Sequence, residues 1–142
     1  MRLLCSACLL GISCRFDGMS KSSPSTLALL AEHELVPVCP EQLGGLPTPR
    51  PPCEIQPDGS LLSENGHNMS EQYSKGAEEA YQIYRLTGCQ AAILKSRSPA
   101  CGKGILYDGS FSKKLVAGQG VFAGLLLSKG IKVYTDEEEF IE

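Results

Sequence analysis

The stretch Glu34-Leu35-Val36-Pro37-Val38-Cys39-Pro40 decides the fold. It reads as a short strand over residues 34–38 that must stop after Cys39, because the proline at 40 has no N–H for a ladder. Working outward, Ser23-Pro24 opens a helix, with Ser23 as N-cap and Pro24 at the first helical position. Leu27, Leu30 and Ala31 follow helical spacing behind it. Residues 2–7 supply an earlier buried strand. Beyond Cys39, residues 46–52 hold four prolines and form an extended loop. Residues 54–62 make a hairpin around Pro57-Asp58-Gly59. The longest helix starts at Ser70-Glu71 and runs to about Thr87, with Gly88 as its C-cap. Its stripe of Tyr73, Ala77, Ala80, Tyr81 and Tyr84 should face a sheet. Residues 91–95 form a third strand, 113–129 a further helix, 131–134 a last strand, and 135–142 a short acidic helix capped by Thr135. Strands alternating with helices imply an α/β protein. The expected architecture is a single-domain three-layer sandwich over residues 1–142, with a mostly parallel, Rossmann-like sheet of about four or five strands.

Composition narrows the function. The chain has 142 residues, 42% of them apolar and 20% charged, an ordinary globular balance. Thirteen basic against sixteen acidic residues leave a net charge of -3, the opposite of a nucleic-acid footprint. No apolar run approaches the roughly 18 residues of a membrane span. The start resembles an export signal only superficially: Cys5, Ser6 and Cys8 break its apolar stretch, and no small-x-small site follows. A cytoplasmic protein is expected, with a small-molecule partner and neither nucleic acid nor membrane.

Seven cysteines stand at positions 5, 8, 14, 39, 53, 89 and 101. An odd number at this density does not read as a disulfide scaffold, and in a reducing compartment clustered thiols suggest metal or catalysis. Cys8, Cys39 and Cys101 each follow a different predicted strand. Parallel strands deliver their carboxyl ends to one edge, where open α/β sheets bind ligands. Three such thiols could hold zinc or an iron–sulfur cluster. Zinc favours four N or S ligands, whereas Cys5 and Cys8 should point to opposite faces and His33 and His67 read as surface residues. Soft thiolates from separated loops suit iron–sulfur better. With three protein ligands, a four-iron cluster keeps one iron open as a Lewis acid.

Neighbouring residues add chemistry. Glu41, two residues beyond Cys39, is a carboxylate that could take a proton from water. Lys95, Arg97 and Lys103 flank Cys101 and favour thiolate over thiol. Arg15, Asp17 and Gly18 follow Cys14 on the same expected edge, where Asp17-Gly18 also suits a turn. Two apparent phosphate loops do not hold up. Gly118, Gly120 and Gly124 have the wrong spacing and no preceding strand for a dinucleotide fingerprint, and Gly102-Lys103-Gly104 lacks the rest of its motif.

The segments Ser6-Ala7-Cys8-Leu9-Leu10-Gly11 with Cys14-Arg15-Phe16-Asp17-Gly18, then Val38-Cys39-Pro40-Glu41 through Pro49-Arg50, then Ser98-Pro99-Ala100-Cys101-Gly102 with Tyr107-Asp108-Gly109, resemble the thiouracil desulfidase (TudS-like) family. The resemblance covers about residues 3–134. It implies a small α/β enzyme with an oxygen-sensitive [4Fe-4S] cluster on Cys8, Cys39 and Cys101. The open iron would take the sulfur of a compound such as 2-thiouracil, releasing the oxygenated base and sulfide. The family's acid/base glutamate falls at Glu41. Its serine directly before the third cysteine is replaced by Ala100, which leaves Ser98 as the substitute catalytic serine. Cys53 and Cys89 are expected to pack, and Cys14 to be a spare thiol or a fourth ligand. Two rival readings are a non-catalytic iron–sulfur module for electron transfer, sensing or cluster delivery, and a cluster-free thiol enzyme that passes a persulfide.

Overall fold

A computed structural model describes residues 1–142. Its centre is a four-stranded parallel sheet. The strands are β1 (Arg2–Ser6), β2 (Glu34–Val38), β5 (Ala91–Leu94) and β8 (Val133–Thr135), in the order β2-β1-β5-β8. Two antiparallel hairpins lie outside it: β3 (Cys53–Ile55) with β4 (Leu61–Ser63), and β6 (Lys103–Tyr107) with β7 (Leu115–Gln119). The helices are α1 (Pro24–Ala28), α2 (Pro40–Leu43), α3 (Ser70–Leu86) and α4 (Val121–Ser128). No helix is long and apolar enough to cross a membrane.

Strand alternation divides the core in two. Leu4, Ala92 and Leu94 point to the face covered by α3 and α4, against Tyr73, Ala77, Ala80, Phe122 and Leu126. Leu3, Cys5, Ala91 and Ile93 point to the other face, beneath the 3-10 turn Ala7–Leu10 and the loop bearing Cys14. With both faces covered, β1 and β5 are buried almost throughout, as central parallel strands should be. Strand β2 lies at the sheet edge, where Pro37, paired with Cys5, removes no needed hydrogen bond.

Several expectations hold. Ser23 caps α1, accepting the Thr26 N–H at 3.3 Å, with Pro24 at the first position. The hairpin expected at 54–62 forms over 53–63, the helix expected from 70 to about 87 runs from 70 to 86, and Gly88 adopts φ +67° just past its end. Others need correction. Residues 113–129 are not one helix: 115–119 form β7, and α4 begins only after Gly120. Strand β6, its partner, lies some ten residues upstream, so the apolar run alone could not distinguish helix from strand. Gly120 is forced by packing, since a Cβ there would stand 2.5 Å from the Ala100 carbonyl oxygen. In α1 the buried residue is Thr26, while Leu27 and Leu30 are exposed. The Thr26 hydroxyl bonds Ser23 Oγ at 2.9 Å, so it enters the interior satisfied. Residues 135–142 form no helix. A capping turn closes between Thr135 and Glu138, but Phe140 then packs edge-on against His33 and Tyr134, and the Tyr134 hydroxyl holds the Ile141 carbonyl.

Candidate active site

The carboxyl ends of β1, β2 and β5 open onto one cavity of about 520 Å³, and Cys8, Cys39 and Cys101 all line it. Cys8 sits in the 3-10 turn after β1, Cys39 between β2 and α2, and Cys101 in the turn after β5. Sequence separations of 31 and 62 residues are thus closed by parallel topology. Cys14 and Cys53 line the same cavity, whereas Cys5 and Cys89 do not. The packing role expected of Cys53 is therefore incomplete, while Cys89 sits in the core with its sulfur 3.2 Å from the Thr87 hydroxyl.

The thiols form an interacting group. Cys39 Sγ lies 3.7 Å from the Cys14 carbonyl oxygen and 3.8 Å from Glu41 Oε1. Interaction with the Cys14 thiol, then burial and the Glu41 charge, raise the pKa of Cys39. For Cys14 itself, Cys39 pulls the value down, but Cys8, burial and Glu41 outweigh it and push the thiol up to about 11. Cys101 is raised well above the usual thiol range, first by burial and then by Glu41, with the hydroxyls of Ser6 and Ser98 opposing. Without a cation these sulfurs are neutral thiols, so ligation must release protons.

The donor set decides what such a cation would be. Five cysteines and no histidine line the cavity, so the donors it offers are soft thiolates beside carboxylates. A polynuclear cluster takes each thiolate on a separate iron, and so accepts soft donors spread around a cavity.

Glu41 owes its position to two elements. Pro40 starts α2, and α2 docks on α3 with backbone touching backbone. A Cβ on Gly76 would stand 1.9 Å from the Pro40 carbonyl oxygen, and one on Gly44 equally close to that of Gln72. Glu41 as a whole residue is 9% exposed, and its carboxylate faces Arg50, whose side chain is buried. Arg50 Nη1 donates to the Pro47 carbonyl and to Thr48 Oγ1, while its backbone N–H donates to the Phe16 carbonyl at 2.8 Å. The proline-rich loop thus pins a cation behind Glu41 and ties itself to the loop following Cys14. Tyr73 lies buried on the same side, its hydroxyl raised by desolvation and then by the Glu41 charge. Reading the sequence alone missed Arg50 as a partner of Glu41 and gave Tyr73 only a packing role; the dense prolines around Arg50 were the available signal.

Ser98 lines the cavity, and its Oγ accepts the N–H groups of Ala100 and Cys101, each at 3.1 Å. This closes the turn that aims Cys101. Gly102 completes it, since a Cβ there would meet the Ser98 carbonyl at 2.8 Å. Asp17 makes the expected turn, accepting from Met19 N–H at 3.0 Å, and Arg15 reaches the cavity. Contrary to expectation a strand, β7, does precede the glycine-flanked start of α4, but the first amides there donate to carbonyls of residues 99–102, so no nucleotide phosphate finds free donors.

Comparison with known proteins agrees with this arrangement. The family model described as 2-thiouracil desulfurase matches residues 3–138. The uncharacterized protein YbbK of Bacillus subtilis (strain 168) is 37% identical over 145 residues, covering 96% of each chain. The solved structure of the [4Fe-4S]-dependent thiouracil desulfidase TudS superposes with a TM-score of 0.87 at 41% identity, covering 94% of this chain and 89% of that one. A match running almost end to end, on a fold that gathers its motif cysteines around one cavity, means that the chain belongs to the 2-thiouracil desulfurase family.

Proposed function

We propose that residues 1–142 act as one unit that removes sulfur from a thiocarbonyl compound such as 2-thiouracil, with a [4Fe-4S] cluster held by Cys8, Cys39 and Cys101. The observation that carries this reading is the meeting of those three thiols with the buried carboxylate of Glu41 on one cavity. When bound, the cluster supplies an iron without a protein ligand, a Lewis acid for the thiocarbonyl sulfur. The protein supplies the rest. Glu41 takes a proton from the attacking water, and Arg50 holds that carboxylate toward the cavity. Ser98 fixes the turn bearing Cys101 and offers its hydroxyl to the site. Phe16 and Phe111 wall the cavity with apolar surface that limits stray water. Overall, C=S plus water gives C=O plus hydrogen sulfide, so no external electrons are needed.

Anaerobically reconstituted protein should release sulfide from 2-thiouracil in step with uracil formation. Cys8→Ala, Cys39→Ala and Cys101→Ala should each lose iron and turnover together. A variant that still turns over without its iron would refute the ligand assignment.

One observation favours a second reading. Cys14 interacts with both Cys8 and Cys39, and a fourth thiol would complete a non-catalytic iron–sulfur module. In that case Cys14→Ala would lose iron, and added thiouracil would leave the EPR spectrum of the reduced cluster unchanged. The desulfidase reading expects Cys14→Ala to keep its iron and the spectrum to change.

A further inference from the structure

Glu54 takes no part in the chemistry above, yet it lines the cavity from β3. Its Oε1 accepts two backbone N–H groups from the β6–β7 connection, Gly109 at 3.0 Å and Phe111 at 3.1 Å. Gln56, on the same side, donates from Nε2 to the Gly109 carbonyl at 3.0 Å. Gly109 sits against β3 at φ +95°, where a Cβ would lie 2.9 Å from the Ile55 carbonyl oxygen. The loop is therefore stitched to a hairpin distant in sequence. Two of its residues, Phe111 at φ +57° and Lys113 at φ +64°, adopt left-handed backbone that side chains of their size rarely take. Both line the cavity. Strained residues persist where surrounding contacts over-determine them, and a charged acceptor serving two amides is such a contact.

We infer that Glu54 is a positioning residue: it holds the 108–114 loop so that Phe111 and Lys113 form one wall of the substrate cavity. The inference deepens the desulfidase reading and rests on it for the substrate. A flat heterocycle entering the cavity meets the Phe111 ring as its apolar wall. Releasing the loop weakens substrate fit and leaves the thiols and Glu41 untouched.

The test compares reconstituted wild-type protein with Glu54→Ala, Glu54→Gln and Gly109→Ala, using limited trypsin digestion and steady-state kinetics with 2-thiouracil. A pinned loop resists cleavage after Lys113 and Lys114 because a protease needs locally opened chain. Glu54→Ala should be cut there at least fivefold faster. Its KM should rise about tenfold, with kcat within about twofold and iron content unchanged. Glu54→Gln keeps an acceptor oxygen and should stay close to wild type. Gly109→Ala pushes the loop off β3 from the other side and should reproduce the alanine phenotype even if Glu54→Ala folds poorly. Unchanged cleavage in both Glu54→Ala and Gly109→Ala would overturn the inference. So would faster cleavage with an unchanged KM. If iron-replete wild-type protein releases no sulfide, the desulfidase reading fails, and the cleavage rates still decide whether Glu54 holds the loop.

Discussion

Glu41 Oε2 lies 3.9 Å from Arg50 Nη2, and the two side chains are only 11% and 5% exposed. The pair is held from both ends: α2 is locked to α3 by glycine contacts, and Arg50 is clamped by the carbonyl of Pro47 and the hydroxyl of Thr48. Helix α2 and the proline-rich loop therefore meet at a buried ion pair beside Cys39.

Replacing Glu41 by Gln keeps size and hydrogen bonding but removes the proton acceptor. Sulfide release should fall by about 10²–10⁴-fold, the usual contribution of a positioned acid or base. Iron content should be unchanged, because the three proposed ligands keep their positions. Colorimetric iron and sulfide assays on the same preparation check both points; iron loss equal to the activity loss would make Glu41 structural instead.

Arg50→Met leaves the Glu41 carboxylate buried without its cation. Breaking a buried pair from one side costs about 3–5 kcal/mol, so urea denaturation should show a loss of that order. Arg50→Lys retains charge but not the planar fork that faces Glu41 through Nη2 while Nη1 donates to Pro47 and Thr48, and should lose less. Equal stability of Arg50→Met and wild type would mean that the 3.9 Å contact contributes nothing.

Much of this arrangement was legible in the chain. Four short strands, the Ser23-Pro24 cap and the long helix could be read locally, because apolar runs, capping residues and 3.6-residue spacing are local signals. Parallel topology then placed Cys8, Cys39 and Cys101 at one edge without any contact information. What failed depended on distant partners. Leu115 to Gln119 becomes a strand only because residues 103–107 pair with it. Arg50 is uninformative until the fold brings Glu41 beside it. Cys53 looked like packing because its neighbours in space, Tyr73 and Arg50, are far from it in sequence or hidden among prolines. Glu54 likewise acquires meaning only from a loop more than fifty residues away.

Gly76→Ala tests how the fold carries the site. The new methyl would stand 1.9 Å from the Pro40 carbonyl oxygen and could fit only by pushing α2 outward. Overpacking of this kind costs about 1–3 kcal/mol, occasionally more. Because Glu41 rides on α2, turnover should fall more than stability alone explains, even at temperatures where the variant is fully folded. Thermal melts paired with sulfide release at 20–25 °C below the melting point (an assay margin chosen from typical melting widths) separate the two effects. Full activity in a folded variant would show that α2 tolerates displacement.

Alkaline pH should weaken the metal-free protein, with a sign fixed by its buried thiols. Cys5 is fully buried on β1, and desolvation, followed by the charge of Asp136, pushes its thiol from about 9 up to about 12. Above pH 9 an unfolded chain releases this proton while the folded chain retains it, so the unfolded state binds fewer protons and gains ground as pH rises. The contribution is intact below pH 9 and is lost progressively toward pH 12. Each such group adds a slope of up to about 1.4 kcal/mol per pH unit. Cys5→Ala removes one of them, and its stability should decline less steeply between pH 9 and 11 than that of wild type in urea titrations. The other raised thiols and Tyr73 keep some slope in the variant. Identical slopes for the two proteins would mean that Cys5 ionises as readily inside the fold as in the unfolded chain.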